Sequence, residues 1–231
     1  IFGHLPRTPE YHFPRRPDPA ILKGTMIFAL DLEGVLAPEI WPLLGAQFDI
    51  PDFSLTTRDT GDFGELMSRR VAAAEKAGLR LADLQRIAHA VEPYIGAREF
   101  IGRLRHMGNV VIISDTFHEF SEPLATKLGN VSLFSNRFET DADGVIRGFK
   151  LRIRGQKERI VSGFKLAGFR VAAMGDSMND LSILQSCDFP VLFRAVDSLA
   201  RQFPDSPVVT NYDDALELME QARRKVDELG D

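Results

Sequence analysis

Short apolar runs that do not alternate with polar residues recur along this chain, and most are separated by helical patterns. They lie at Ile27–Leu30, Val110–Ile113, Arg170–Met174, Val191–Phe193 and Val208–Val209. Strands of this kind are buried on both faces, which is the habit of parallel sheets. Helical spacing fills Ala97–Met107, Glu119–Leu128, Glu158–Leu166 and Asp213–Leu229. Strand alternating with helix predicts a βαβ architecture, an α/β fold with a Rossmann-like parallel-sheet core. Two intervals interrupt it. From residue 45 to 94 there is no good strand, only loop signals and two helical segments. This predicts a small helical cap inserted after the first strand, above the carboxyl ends where open α/β sheets bind ligands. The expected division is therefore a core of residues 26–44 and 95–231 with a cap of 45–94. Between Arg137 and Ile153, Asp-Ala-Asp-Gly separates two alternating runs and predicts a β-hairpin.

Composition narrows the functional classes. Lysine plus arginine number 28 and aspartate plus glutamate 33, a net charge of −5, with no basic block. That is not the footprint of a nucleic-acid binder, so no nucleic-acid partner is expected. Cys187 is the only cysteine, which excludes an internal disulfide framework or cysteine zinc site and suits a reducing cytoplasm. No apolar stretch approaches the ~20 residues of a membrane span, and a secretory pattern is absent from the first residues. Residues 1–25 are crowded with prolines and read as an extended arm; Met26, just ahead of the first strand, reads as the natural start, with the arm vector-derived or upstream-derived.

The residues that terminate the strands carry the chemistry. The first run leads into Asp31-Leu32-Glu33-Gly34, the second into Ser114-Asp115-Thr116, and a later one into Gly175-Asp176-Ser177-Met178-Asn179-Asp180. Neighbouring carboxyl ends would gather Asp31, Glu33, Ser114 and Asp176 in one crevice. Carboxylates so gathered repel and resist desolvation unless a cation joins them. Oxygen ligands without histidine or cysteine select a hard cation, and Mg²⁺ is the usual one where phosphate is handled. Any one of these acids alone reads equally well as a helix cap; acids at three strand ends do not. Lys157 opens a predicted helix 19 positions before Asp176, from where it could neutralise a phosphoryl oxygen. By itself it would read as a surface lysine, and Arg154 and Arg159 are nearby competitors.

One charged residue stands on an otherwise apolar helical face. Phe63, Leu66, Met67, Arg70 and Ala74 share helical spacing, so Arg70 needs either a route to solvent, an internal acid or a ligand carboxylate. Trp41, on another apolar helix, reads as packing between cap and core. The second histidine of a zincin motif, a Walker loop and a GxGxxG fingerprint are all missing.

Taken together, Asp31-x-Glu33-Gly-Val, Ser114 after apolar residues, Lys157, and Gly175-Asp176-Ser-x-Asn-Asp180 resemble the four motifs of the haloacid dehalogenase superfamily. Coverage runs from about residue 27 to 210. Within it the chain resembles phosphoserine phosphatases. The words Asp-Leu-Glu-Gly-Val-Leu-x-Pro-Glu-Ile-Trp (31–41), Thr-Thr-Arg-Asp (56–59) and Ser-Asp-Thr-Phe (114–117) are those of the phosphoserine:homoserine phosphotransferase group.

The resemblance implies an Mg²⁺-dependent phosphatase of L-phosphoserine working through an aspartyl-phosphate, with homoserine as a second acceptor. Asp31 would be the nucleophile and Glu33 the general acid and base. Ser114 and Lys157 would bind the phosphoryl oxygens. Asp31, the Glu33 backbone carbonyl and Asp176 would hold the metal, with Asp180 behind them. Arg70 matches the position that takes the substrate carboxylate, Glu39 one that faces the amino group, and Asp115 and Asn179 further substrate contacts. A homodimer is compatible with this reading. Glu33 replaces the aspartate commoner at its position, and Ser114-Asp115-Thr116 replaces Ser-Gly-Gly. The rival readings are the same mechanism on another small phosphomonoester, a phospho-accepting receiver, which Glu33 and the insertion oppose, and a silent ligand-binding relative, which would have lost one of Asp31, Lys157 or Asp176.

Overall fold

The computed structural model of the chain describes residues 25–152 and 156–230. The arm up to residue 24 and Arg154 lie outside the described residues. Seven strands form one sheet: β1 Met26–Leu30, β2 Asn109–Phe117, β3 Ser132–Thr140, β4 Ile146–Lys150, β5 Arg170–Gly175, β6 Phe189–Phe193 and β7 Val208–Val209. Their order is β4-β3-β2-β1-β5-β6-β7, and every pair is parallel except β3 with β4. The α/β Rossmann-like core expected from the sequence is thus present.

Alternation on β1 divides the core in two. Met26, Phe28 and Leu30 point to one face, where the helices Ala97–Arg105, His118–Lys127 and Tyr212–Gly230 bury Phe100, Phe120 and Met219. Ile27 and Ala29 point to the other, against Val161 of the helix Glu158–Leu166 and Ile183 of the helix Leu181–Ser186. From β1 the chain builds outward to β2 and β3, then returns to lay β5, β6 and β7 on the opposite side. The gap between the carboxyl ends of β1 and β5 is the topological switch point, the place where such sheets hold ligands.

Two features differ from the sequence expectation. β2 does not stop at Ile113 but runs through Ser114, Asp115 and Thr116 to Phe117, with its register against β3 broken between Ile113 and Phe117. Ile113 pairs with Phe134 and Phe117 with Asn136, so three residues of β2 face Ser135 alone. A bulge of this kind re-aims side chains, and the polar triplet it contains disguised the strand as a loop. The first half of β3, Ser132–Asn136, is also a parallel strand beside β2 that polar Ser132, Ser135 and Asn136 concealed. The hairpin itself forms, with Gly144 at φ +79 in its turn.

Residues 40–88 form five helices: Ile40–Phe48, Pro51–Ser54, Thr57–Thr60, Phe63–Lys76 and Leu81–Ala88. The first begins ahead of residue 45, because Pro42 sits in its first turn, where a missing N–H breaks no helical bond. The chain leaves and returns side by side: the Tyr94 N–H donates to the Leu36 carbonyl at 2.9 Å, and the Tyr212 hydroxyl to the Val35 carbonyl at 2.7 Å. A further tie comes from Pro123 inside the helix His118–Lys127. Proline has no N–H for the carbonyl four residues back, which leaves Glu119 O to accept from Gln85 Nε2 at 3.4 Å and His89 Nε2 at 3.1 Å. Lys127 Nζ holds the carbonyls of His89 and Val91. The helix-breaking residue therefore supplies an acceptor that docks the inserted helix Leu81–Ala88.

Phe28 is fully buried at the centre of the sheet. Phe28→Ala is expected to cost about 3–5 kcal/mol of stability, read as a lower urea midpoint with an unchanged slope.

Candidate active site

Asp31 is the first residue after β1, and its N–H donates to Met174 O at 3.0 Å, extending the β1–β5 pairing by one step. Asp176 follows β5 directly. The two carboxylates therefore flank the switch point because their strands are neighbours. Lys157, at the start of the helix Glu158–Leu166, is only 2 % exposed. Its ammonium donates to Asp31 Oδ1 and Asp180 Oδ1, each at 2.8 Å, and lies 3.3 Å from Asp115 Oδ2. Asp180 is fully buried, and its other oxygen accepts from the N–H groups of Asp176 at 3.0 Å and Ser177 at 3.3 Å. Asp180 thus orients both Lys157 and the loop that carries Asp176.

These groups face a pocket of about 420 Å³. Nine of the ten residues singled out in the sequence line it: Asp31, Glu33, Glu39, Arg70, Ser114, Asp115, Lys157, Asp176 and Asn179. Asp180 stands behind the wall. Thr56, Thr116, Ser177, Met178 and Val196 also line the pocket, as does Trp41, which the sequence marked only as packing. Asn136, fully buried in β3, was missed entirely. Its side-chain amide donates to Asp115 O at 2.7 Å and its oxygen accepts from the Arg152 N–H at 3.2 Å, bracing the bulge from behind.

Electrostatics divides the pocket. Burial works against the Lys157 ammonium, yet Asp115, Asp180 and Asp31 together hold its pKa well above the ordinary lysine value. Burial and then the charge of Asp180 push Asp31 well above the usual carboxylate range, with Lys157 opposing. Burial, again with Asp180, lifts Asp176 to about 7. One ammonium does not neutralise four acids. Glu33 is also lifted to about 7, chiefly by burial, although its Oε1 accepts from the Ile40 N–H at 2.9 Å. A carboxyl poised there can donate and accept a proton near neutrality.

The acids fit a hard divalent cation. Carboxylate oxygens of Asp31, Asp176 and Asp180 lie within 4.8 Å of one another, but both Asp180 oxygens are already engaged, so Asp31 and Asp176 are the side chains left to bind it. Oxygen donors alone suit such an ion. Gly34, at φ +83, clears the space: a Cβ there would lie 2.3 Å from Asp176 Oδ2.

Arg70 lines the same pocket. The Asp62 carboxylate accepts from the Glu65 N–H and caps the helix Phe63–Lys76, whose inner face buries Leu66, Met67, Arg70 and Ala74 as the spacing predicted. Arg70 is 7 % exposed, and burial lowers its pKa to about 10. Nη2 donates to Leu55 O at 2.7 Å and Nη1 approaches Met67 Sδ at 3.6 Å, while Nε has no hydrogen-bond partner among the described residues. Among those residues no carboxylate forms an ion pair with it. A buried guanidinium in this condition is ready for an anionic ligand.

Comparison with known proteins places this fold and acid cluster in a hydrolase family. The haloacid dehalogenase-like hydrolase family model matches residues 20–185, and the chain belongs to that family. It is 40% identical over 205 residues to a phosphoserine phosphatase of Pseudomonas syringae pv. tomato, covering 87% of this chain and 86% of the relative. It is also 40% identical over 188 residues to the phosphoserine phosphatase ThrH of Pseudomonas aeruginosa, covering 81% and 92%. Among solved structures, a phospho-aspartyl intermediate analogue of phosphoserine phosphatase superposes with a TM-score of 0.71 at 16% identity, over 84% of this chain and 98% of that one. Among the described residues no helix is long and apolar enough to cross a membrane.

Lys157→Met would leave Asp31, Asp115 and Asp180 buried without their cation. Removing one partner from a buried pair costs about 3–5 kcal/mol. The variant's acids, raised above their unfolded values, cost stability as pH rises through the unfolded pKa and less where they are protonated. The stability deficit against the native protein is expected to be larger at pH 8 than at pH 5, measured by urea unfolding at both.

Proposed function

We propose that this chain is an Mg²⁺-dependent phosphatase of L-phosphoserine that forms an aspartyl-phosphate on Asp31 and can pass the phosphoryl group to the hydroxyl of homoserine as well as to water. The observation that carries the reading is the polarity of the pocket. The pocket holds a buried Lys157–Asp31 pair and, from the helix Phe63–Lys76, a buried Arg70 that forms no ion pair among the described residues, cationic groups suited to a small molecule that carries both a phosphate and a carboxylate. The names of the two relatives at 40% identity support the same substrate.

In this mechanism an Asp31 oxygen attacks phosphorus and the bond from phosphorus to the serine oxygen breaks. Glu33 gives its proton to the departing oxygen, then removes one from the incoming water or homoserine hydroxyl, which attacks phosphorus and frees Asp31. Lys157 and Ser114 hold the phosphoryl oxygens, and Asp180 keeps Lys157 in place. Asp31, Asp176 and the Glu33 backbone carbonyl would hold Mg²⁺, which would supply positive charge to offset repulsion between carboxylate and phosphate. Arg70 binds the substrate carboxylate and Glu39 its ammonium, with Asp115 and Asn179 as further contacts. The helices of residues 45–94 act as the cap that selects the substrate, and the enzyme works in the cytoplasm.

Phosphate release from L-phosphoserine is expected with Mg²⁺, to stop with EDTA, and to fall by at least about a thousandfold in Asp31→Asn. Added homoserine is expected to divert release into phosphohomoserine, followed by mass spectrometry. Release without diversion leaves a phosphatase alone, and no release from phosphoserine means another phosphomonoester is the substrate. Arg70→Ala is expected to raise KM for phosphoserine about thirtyfold, an ion-pair loss of about 2 kcal/mol. Turnover of p-nitrophenyl phosphate, which has no carboxylate, should change little. Equal losses on both substrates would remove Arg70 from substrate recognition.

A further inference from the structure

The state of Arg70 poses a problem that the catalytic groups do not answer. Glu33 and Glu39 line the same pocket and their charges favour the Arg70 cation, yet among the described residues neither forms an ion pair with it. It is instead held by a face. The guanidinium carbon lies 4.4 Å from the centroid of the Trp41 ring, so the indole stabilises the cation through its quadrupole without removing its charge. The indole has little freedom to move. Phe53 meets it edge-on at 5.2 Å, Phe120 at 5.7 Å and Phe138 at 6.3 Å. These three rings come from the inserted helix Pro51–Ser54, the core helix His118–Lys127 and β3. Phe138 is stacked on Phe117 at 3.8 Å, directly after the Ser114–Thr116 bulge. A continuous aromatic cluster therefore ties the wall that carries Arg70 to the strand that carries Ser114.

We propose that Trp41 is a positioning and specificity-determining residue: its locked indole keeps the Arg70 guanidinium off the pocket acids and aimed at the carboxylate of an amino-acid substrate. The proposal rests on the reading of Arg70 given above, and it adds a residue whose loss must be felt through binding of the carboxylate rather than through the phosphoryl chemistry.

The test compares Trp41→Leu, Trp41→Phe and Arg70→Ala in the Mg²⁺-loaded enzyme, on L-phosphoserine and on p-nitrophenyl phosphate. Trp41→Leu is expected to raise KM for phosphoserine about tenfold. Its kcat/KM for p-nitrophenyl phosphate should stay within about twofold, which also reports that the variant is folded. Trp41→Phe keeps an aromatic face and should recover most of the loss. Because Trp41 is the only tryptophan, its emission gives an independent readout. L-phosphoserine should change it saturably in the Mg²⁺-loaded Asp31→Asn protein, inorganic phosphate should not, and adding Arg70→Ala should abolish the response. The proposal is overturned if Trp41→Leu loses equally on both substrates or if Trp41→Phe is no better than Trp41→Leu. Should the leucine variant fail to fold, a phenylalanine variant with the phosphoserine KM raised as far as in Arg70→Ala overturns it, as does emission that phosphoserine leaves unchanged. A nonselective Arg70→Ala instead brings down the carboxylate reading itself, so the two failures are separate.

Discussion

One buried ammonium, that of Lys157, sits among Asp31, Asp115 and Asp180, and the arrangement of the whole site depends on it. Without a cation these carboxylates could not share so dry a space in their charged form. With it, three segments distant in sequence are drawn to one point at the switch of the sheet. Asp180 makes the arrangement rigid, because one of its oxygens serves Lys157 while the other serves the backbone before and after Asp176. Since the remaining acids still exceed the positive charge, the same site retains an appetite for a divalent cation.

The surroundings of Arg70 are built on different physics. Around Lys157 one ammonium is ringed by three carboxylates, whereas Arg70 forms no ion pair among the described residues and is supported by a carbonyl, a sulfur and an indole face. Such support satisfies part of the guanidinium while leaving its charge available. It comes from the segment between β1 and β2, which is fastened to the rest of the chain by local devices. One is the Glu119 carbonyl released by Pro123 and taken up by Gln85 and His89; another is the paired exit and return at Leu36 and Tyr94. The pocket thus combines acids and a lysine positioned by the sheet with an arginine positioned by the segment between β1 and β2.

Much of this was legible in the residues. Unalternating apolar runs ending in acids announced a parallel sheet with a metal-compatible crevice, because backbone direction and side-chain chemistry at a strand end are both local properties. Helical spacing placed Arg70 on its apolar face for the same reason. Legibility failed where tertiary contacts overrode local preference. The triplet Ser114-Asp115-Thr116 looks like a loop, yet it continues β2 as a bulge because Asn136 and β3 satisfy it from the neighbouring strand. Ser132–Asn136 looks too polar for a buried strand until the same partners are in place. Trp41 looked like packing alone, since nothing in a linear sequence says which cation a ring will face.

The sequence by itself determined the strand ends, the identity of the acids and the lone arginine on an apolar helix. These follow from short-range periodicity and from what carboxylates require. Only the tertiary structure decided that Lys157 rather than Arg159 enters the acid cluster and that Arg70 lies over an indole face. Those outcomes depend on which desolvated groups come within about 3–6 Å of one another, the range over which charge pairing and ring contact act. That proximity is set by the packing of segments more than a hundred residues apart, as Lys157 and Asp31 are.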